Sequence, residues 1–167
     1  MDSLKIYRIE DKYIRYLCHA DERVQHNKDQ RRPYVGIVLT ISSYKYFVPM
    51  ESPKYHHKKL KPGIHIMFLE NGKYGLLGFN NMIPVHNSAL IEFNIDDEER
   101  QYAELLKRQV RIINEHKSEV YHRASKTYYR ATTKEKDNFF RKICCNFKKL
   151  EKACDRYDPN HQPRKTK

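Results

Sequence analysis

The sequence changes character once, near residue 95, and this change restricts the possible folds more than any other feature. Residues 33–93 are rich in β-branched and aromatic residues and contain frequent turn-forming residues, which is typical of short strands joined by tight turns. Residues 97–157 contain almost no turn-forming residues, and their apolar residues recur at helical spacing. We therefore predict an α+β protein with a strand-rich first half and a helical second half.

The first half contains two hairpin signals. Val35, Ile37, Leu39 and Ile41 alternate with other residues and predict one apolar face of a strand, which Ser42-Ser43 turns into a partner strand. The Asn-Gly dipeptide of the run Glu70–Lys73 is the stronger signal for a second hairpin. The remaining strand predictions are Lys5–Ile9, Tyr44–Pro49, Ile64–Leu69, Tyr74–Leu77, a piece at Pro84 and Ala89–Phe93. Strands this short and closely linked indicate a small, curled antiparallel barrel.

Helices are predicted from apolar spacing and from capping residues. A short helix covers Asp11–Cys18, and a longer one, capped by Asp96 or Asp97, runs to Ile113. Ser118 begins a shorter helix, and Thr132 with Glu135 resembles a capping box. This box introduces an apolar stripe from Phe139 to Tyr157. We predict a single domain over residues 1–157 and a polar, basic tail over residues 158–167.

The charge balance suggests a polyanionic partner. The 167 residues include 33 Lys and Arg against 21 Asp and Glu, a formal charge of +12, and such an excess concentrates phosphates near a surface. Charge alone does not separate RNA, DNA and acidic membranes, and an ordinary basic protein is the alternative. The sequence has no 18-residue apolar run and no secretory signal. The four cysteines lack CxxC spacing, so we expect a cytoplasmic protein with reduced core thiols.

Two basic segments flank the first predicted hairpin. The segment 48–61 leaves the second strand and contains a Ser-Pro-Lys turn, His56, His57 and several lysines. A second basic segment, residues 28–34, leads into the first strand. Hairpin geometry places the start of one strand near the end of its partner, so we expect both segments on one rim, where they can bind a phosphate.

Such a rim suits RNA cleavage without a metal. RNA supplies its own nucleophile, the 2′-hydroxyl, and the protein must accept that proton, donate one to the 5′-oxygen and stabilise the added negative charge. The expected products are a 2′,3′-cyclic phosphate and a 5′-hydroxyl. Either His56 or His57 can act near neutral pH. The alternative is a solvated basic loop whose histidines have no chemical role.

Other kinds of chemistry have weaker support in the sequence. The acidic run Asp96–Glu99 is explained by helix capping, and no other acidic cluster has two-metal character. The sequence contains no P-loop, no G-x-G-x-x-G and no G-x-S-x-G motif. We expect no metal and no cofactor.

Four short segments resemble the ToxN/AbiQ family of type III toxin–antitoxin toxins. They are Ile6–Leu17 at the start, Pro33–Leu39 at the first strand, Tyr46–Lys54 at the family's active-site turn, and Cys145–Glu151 at its last helix. The resemblance spans roughly residues 4–157. It implies a barrel core like that of Kid/MazF toxins, with added helices, and a sequence-selective, metal-independent endoribonuclease that causes growth arrest or abortive infection. It also implies a small repeat RNA as antitoxin, which the toxin cuts and with which it forms a closed assembly, and cellular and phage RNA as substrates.

The resemblance also implies site residues. The serine and lysine of the family's active-site turn fall on Ser52 and Lys54, and a basic residue before the first strand falls on Arg32. Relatives often have Thr where this chain has Glu51, and some have Tyr where it has Lys28. We expect catalytic roles for Ser52 and Lys54 first, then Arg32, then Lys28 and His56. RNA contacts are expected from Arg31, Tyr34, Glu51, His57, Lys58, Lys59 and Lys61.

Two other functions remain open at this point. A non-catalytic RNA-binding module would use the same loops to bind phosphates without cutting. A DNA-binding regulator would use the helical half, but no helix shows the glycine turn of a helix-turn-helix, and the basic loops lie outside the helices.

Overall fold

A computed structural model describes residues 3–133 and 138–161, and these form seven strands and five α-helices. The strands are β1 (Lys5–Ile9), β2 (Tyr34–Ile41), β3 (Tyr44–Glu51), β4 (Ile66–Phe68), β5 (Leu76–Gly78), β6 (Ile83–Pro84) and β7 (Leu90–Glu92). The helices are α1 (Asp11–Ala20), α2 (Arg100–Glu115), α3 (Lys117–Thr132), α4 (Asn138–Ile143) and α5 (Phe147–Arg156). The predicted α+β class is confirmed.

The strands form one antiparallel sheet in the order β4-β5-β3-β2-β1-β7, and β6 pairs with β3. This sheet is not closed into a barrel, so that part of the fold prediction is not confirmed. The strands at the two ends, β4 and β7, have only three residues each, and they do not pair with each other within the described ranges. Strands of three residues form few ladder hydrogen bonds, so pairing between β4 and β7 would do little to close the sheet into a barrel.

Both predicted hairpins are present, but the apolar face predicted for β2 is partly wrong. Gly36 pairs with Phe47 and Leu39 pairs with Tyr46, so β2 bulges between them. Ile37 and Val38 lie between these two pairs without pairing partners in β3, and within this bulge Val38 is buried while Ile37 is 38% exposed. A Cβ at Gly36 would lie 2.1 Å from Cδ1 of Phe47, so this close approach requires glycine.

The start of α2 differs from the prediction. The N-cap is Glu99, whose carboxylate accepts the backbone N–H groups of Gln101 and Tyr102 at 3.2 and 3.3 Å. Asp96 and Asp97 lie instead in a preceding 3-10 turn. The predicted cap was therefore wrong by two to three residues. The sequence could not distinguish the positions, because any carboxylate in this acidic run could cap the helix.

The C-terminal helices also differ in their ends. Thr132 is the last residue of α3, and its hydroxyl donates to the Tyr128 carbonyl at 2.8 Å, so it is not an N-cap. Glu135 lies outside the described residues. The apolar stripe that we predicted up to Tyr157 is divided between α4 and α5. Helix α4 ends at Ile143, and in the connection to α5 the Cys145 N–H donates to the Asn80 carbonyl at 2.9 Å.

A buried carboxylate joins the helices to the sheet. Glu151 of α5 is 5% exposed, and its Oε1 accepts hydroxyl hydrogen bonds from Tyr46 of β3 at 2.8 Å and from Tyr128 of α3 at 2.6 Å. Two donors satisfy a buried carboxylate that would otherwise be costly to desolvate. This contact holds β3, the strand that leads to the Ser-Pro-Lys turn, against the helical half.

Other sequence predictions meet simple outcomes. The four cysteines are free, and Cys144, Cys145 and Cys154 are buried. In the part of the chain that the structure describes, no helix has the length and apolarity to cross a bilayer. Of the predicted tail, residues 162–167 lie outside the described residues.

Candidate active site

The two basic segments meet beside the paired ends of β2 and β3. Tyr34 pairs with Pro49 in the ladder, and the Met50 N–H donates to the Pro33 carbonyl at 3.0 Å. Antiparallel pairing thus places residues 28–33 next to residues 50–54. The structure confirms the predicted meeting of the loops.

The loop before β2 has an unusual backbone. Lys28, Asp29 and Gln30 have φ values of 49°, 55° and 67°, in the left-handed region that non-glycine residues seldom adopt. The surrounding structure imposes this shape: Asn27 donates its side-chain amide to the Ile9 carbonyl at 2.7 Å, and Gln30 accepts the Asp11 N–H at 2.9 Å. Strained backbone of this kind is concentrated at functional sites.

Arg32 and Lys28 bring positive charge to the cleft. Arg32 is 8% exposed, and its Nε donates to the His26 carbonyl at 3.1 Å. Its Nη1 has no hydrogen-bond partner among the described residues, which leaves one buried donor for a ligand. Burial lowers the pKa of Lys28, and the neighbouring charges of Arg32 and Lys54 lower it further.

Glu51 lies at the end of β3 and is bound on both carboxylate oxygens. Its Oε1 accepts from Gln25 Nε2 and its Oε2 from His57 Nε2, both at 3.1 Å, and Lys54 Nζ lies 4.0 Å from Oε2. Burial raises the pKa of Glu51, but the hydrogen bonds from Gln25 and His57 and the charges of Lys54 and Arg32 outweigh burial, and the pKa is lowered. Glu51 is therefore an anion among cations.

His57 connects the Glu51 carboxylate to the backbone of Lys54. It is 5% exposed within the 3-10 turn Tyr55–Lys59. Its Nδ1 accepts the Lys54 backbone N–H at 3.3 Å, which leaves the Nε2 hydrogen to donate to Glu51. Since both ring nitrogens are engaged, His57 positions Glu51 and Lys54.

Gly75 of the second hairpin lets the backbone approach Glu51. Its φ is +97°, and a Cβ there would lie 1.9 Å from the Glu51 carbonyl oxygen. Sequence reasoning missed both Gly75 and Gln25, because neither residue belongs to a motif and both act through contacts distant in the chain.

Two cavities flank the Ser-Pro-Lys turn. The first, of about 630 Å³, is lined by Lys28, Arg31, Arg32 and Ser52, and by residues from elsewhere in the chain. The second, of about 530 Å³, is lined by Lys54, Tyr55, His57 and Lys58 and by the 70–73 turn. Ser52 and Lys54 therefore border different cavities, and His57 lines the cavity at Lys54.

Two of the expected RNA contacts, Tyr34 and His57, are buried. Tyr34 is 1% exposed and packs in the core, so its side chain cannot reach RNA. His57 is buried and engaged as described above. The other predicted contacts remain accessible to some degree: Arg31, Lys58, Lys59 and Lys61 are exposed, Glu51 is half-buried, and the catalytic candidate His56 is exposed.

Among the described residues, one set could hold a metal ion. Glu51, His56 and His57 place one ligand atom each within 4.8 Å of one another. Two of these groups are already hydrogen-bonded to each other, and the Lys54 ammonium lies 4.0 Å from the same carboxylate oxygen. A cation here would have to displace that hydrogen bond and face a positive charge, so this donor set fits a metal poorly.

Sequence comparison finds proteins that are similar to this chain over almost its whole length. Residues 5–155 match the family described as toxin ToxN of type III toxin–antitoxin systems. The endoribonuclease ToxN of Bacillus thuringiensis subsp. kurstaki is 32% identical over 96% of this chain and 88% of its own length. The endoribonuclease AbiQ of Lactococcus lactis subsp. lactis is 30% identical over 93% of this chain and 90% of its own length.

Two solved structures share the fold. The first, from work on type III toxin–antitoxin systems in which a non-coding RNA pseudoknot selectively inhibits the toxin, superposes with a TM-score of 0.84 and 32% identity over 95% of this chain and all of that chain. The second, the lactococcal anti-phage endoribonuclease AbiQ, has a TM-score of 0.82 and 26% identity over 92% of this chain and 97% of that chain.

Proposed function

We propose, from the premise that this chain belongs to the ToxN family of toxins from type III toxin–antitoxin systems, that it is a sequence-selective, metal-independent endoribonuclease acting in the bacterial cytoplasm. One observation carries the proposal: Ser52, Lys54, Arg32 and Lys28 converge where β3 ends. Relatives named endoribonucleases match nearly the whole chain, which supports the class of reaction.

The proposed reaction is an internal transfer at phosphorus. The 2′-oxygen of the RNA bonds to the adjacent phosphorus, and the bond from phosphorus to the 5′-oxygen breaks. The 2′-hydroxyl gives its proton to a base, for which we assign the exposed imidazole of His56, and the departing 5′-oxygen receives a proton, which leaves a 2′,3′-cyclic phosphate and a 5′-hydroxyl. The nucleophile and the leaving group both belong to the RNA, so the protein need only position groups, move protons and stabilise charge.

The cations of the site account for the charge. Arg32 offers a buried Nη1 donor, and Lys54 is held by its own backbone contact to His57 and by the nearby Glu51 carboxylate. Both can face the extra negative charge on the phosphate, the task that a metal performs in other nucleases. Lys28 has a lowered pKa and therefore gives up a proton more readily than an ordinary lysine. We assign it the proton for the 5′-oxygen, and we assign the positioning of the phosphate to Ser52.

The regulation that we propose also involves RNA. The antitoxin is a small repeat RNA that the toxin cuts into units and that then occupies the toxin in a closed protein–RNA assembly. A related toxin is inhibited by a non-coding RNA pseudoknot, and the formal charge of +12 suits such a partner. When the RNA is lost, cellular and phage RNA become substrates, and growth stops as in abortive infection.

The test uses purified wild-type protein, Lys54→Ala and a control, Lys107→Ala, whose ammonium lies on α2 and pairs with Asp96 at 2.9 Å. Each is incubated with total bacterial RNA in excess EDTA, and the fragment ends are mapped. We expect discrete cuts with cyclic phosphate ends from wild type and Lys107→Ala and none from Lys54→Ala, which still binds RNA. Loss of cutting in EDTA would contradict metal independence. Intact RNA that every protein still binds would favour the non-catalytic RNA-binding module.

A further inference from the structure

The cavity at Ser52 extends beyond the groups that the proposed cleavage uses. Its phosphate side carries Lys28, Arg32 and Ser52, and its far side is lined by Arg8 and by Glu98 and Tyr102. The far-side residues come from β1 and from the start of α2, and they share no motif with the Ser-Pro-Lys turn. A volume of about 630 Å³ lies in the range of small-ligand sites and can hold a nucleoside.

The far side presents a fixed donor and acceptor pair. An Nη2 hydrogen of Arg8 donates to Oε1 of Glu98, and the two side chains remain 26% and 20% exposed. The Arg8 guanidinium carbon lies 4.1 Å above the Phe93 ring centroid, which fixes its plane. Its Nε is buried without a hydrogen-bond partner in the described part of the chain, so one donor remains unused.

The same wall also offers an aromatic surface. Tyr102 lies in the first turn of α2, is half-buried and lines the cavity. An aromatic ring beside polar groups is how proteins hold single-stranded bases, because the base stacks on the ring while its edge forms hydrogen bonds.

We propose that Arg8, Glu98 and Tyr102 form a specificity site that binds one nucleobase next to the cleaved phosphate and prefers a base with an exocyclic amino group to uracil. The inference rests on the proposed endoribonuclease function and names the part of the substrate that the cavity reads. Tyr102 stacks the base, and Arg8 and Glu98 contact its edge, while the attached phosphate reaches Arg32 and Ser52 across the cavity.

The preference follows from the chemistry of Glu98. A carboxylate only accepts hydrogen bonds, so it favours an amino group on adenine, cytosine or guanine. In uracil the one edge donor, N3–H, lies between two carbonyl oxygens, which repel the carboxylate. A second phosphate is a poor occupant of this wall for the same reason, because it would face the negative charge of Glu98.

The experiment compares wild type, Glu98→Gln and a control, Glu104→Gln, which changes an exposed carboxylate on α2 that pairs with Arg100. Each protein cuts an RNA library with randomised positions around the cleavage site, and the preference at each position is counted. We expect wild type and Glu104→Gln to cut substrates with uracil at one flanking position about tenfold less than the others, the size of one good base contact. Glu98→Gln should lose most of this difference while still cutting, because an amide can also donate to a uracil carbonyl.

Unchanged base preference in an active Glu98→Gln protein would overturn the inference. If that variant does not fold, Tyr102→Ala and Tyr102→Phe replace it: the alanine variant should raise KM for short substrates severalfold and the phenylalanine variant should restore it, and equal KM values would overturn the inference. A wild-type protein that cuts nothing would overturn the proposed function. The cavity would then be tested separately by binding of Lys54→Ala to oligonucleotides that differ at one base, and equal binding of all of them would overturn the inference.

Discussion

The imidazole Nε2 of His57 lies 3.1 Å from Oε2 of Glu51. The same histidine accepts the Lys54 backbone N–H on its other nitrogen, at 3.3 Å. The buried His57 ring thus links Glu51 to the loop that carries Lys54. Among the described residues, Glu51 is the only anion of this cleft that contacts Lys54. The charges of the cleft are positioned as a unit.

This unit makes stability depend on the ionisation of Glu51. Its pKa is lowered in the folded protein, so its contribution is complete above the ordinary glutamate pKa, about 4.3, and is lost as pH falls through the lowered value. We expect Glu51→Gln to be less stable than wild type at pH 7, with a difference that shrinks steadily below pH of about 4.3. Urea unfolding from pH 7 to pH 3 measures this, with Glu104→Gln as the control. A difference that is constant across this range would contradict the account.

The hydroxyl of Ser52 should be needed for toxicity. It borders the cavity that contains Arg32 and Lys28, so its removal disturbs the position of the phosphate without removing a charge. We expect Ser52→Ala to relieve growth arrest on induced expression, and Ser43→Ala, in the turn at the opposite end of β3, to remain toxic. Equal toxicity of the two variants at equal expression would exclude Ser52 from the proposed reaction.

Alanine substitutions at Gly72 and Gly75 distinguish the cost of a positive φ from the cost of a steric clash. Both have positive φ, +97° and +89°, but a Cβ at Gly75 meets the Glu51 carbonyl at 1.9 Å, whereas a Cβ at Gly72 has its nearest neighbour at 3.6 Å. We expect Gly72→Ala to cost about 1–2 kcal/mol from the left-handed backbone alone. Gly75→Ala should cost more and should also lower RNA cleavage, because Glu51 must move. Chemical unfolding and a cleavage assay measure both, and equal effects of the two variants on stability and cleavage would show that the contact with Glu51 is unimportant.

Exposed lysines after β3 should determine the salt dependence of RNA binding. Each phosphate contact contributes a slope of roughly 0.7 in log affinity against log salt on single strands. We expect Lys58→Ala to reduce the slope by about this amount, and Lys107→Ala to leave it unchanged because Asp96 already compensates that charge. Fluorescence anisotropy with Lys54→Ala as the non-cleaving background provides the values. An unchanged slope in Lys58→Ala would place the RNA elsewhere.

The features of the fold that were predicted correctly are those that depend on segments close together in the sequence. Both hairpins could be found because turn residues and strand pairing are local signals, and the meeting of the loops around Arg32 and Ser52 follows directly from the first hairpin. The bulge of β2 could not be found, since the alternation of Val35, Ile37 and Leu39 fits a regular strand equally well.

The rest of the site depends on distant contacts. Gln25 reaches Glu51 across 26 positions of sequence, and Arg8 pairs with Glu98 across 90. Neither pair has a spacing that marks it. The resemblance to a toxin family pointed to Ser52 and Lys54 as site residues. It could not predict that His57 is buried against Glu51, because relatives often have threonine at that position.

The contact of Glu151 with Tyr46 has a consequence for how a cell makes this protein. All the residues that we place in the cleft have been translated once the ribosome reaches residue 102, yet the strand leading to Ser52 is held by Glu151, which is translated later. On the ribosome, the sheet lacks this anchor until α5 has emerged. We therefore expect the nascent chain to stay inactive towards the ribosomal RNA around it until α5 has emerged and packed against β3.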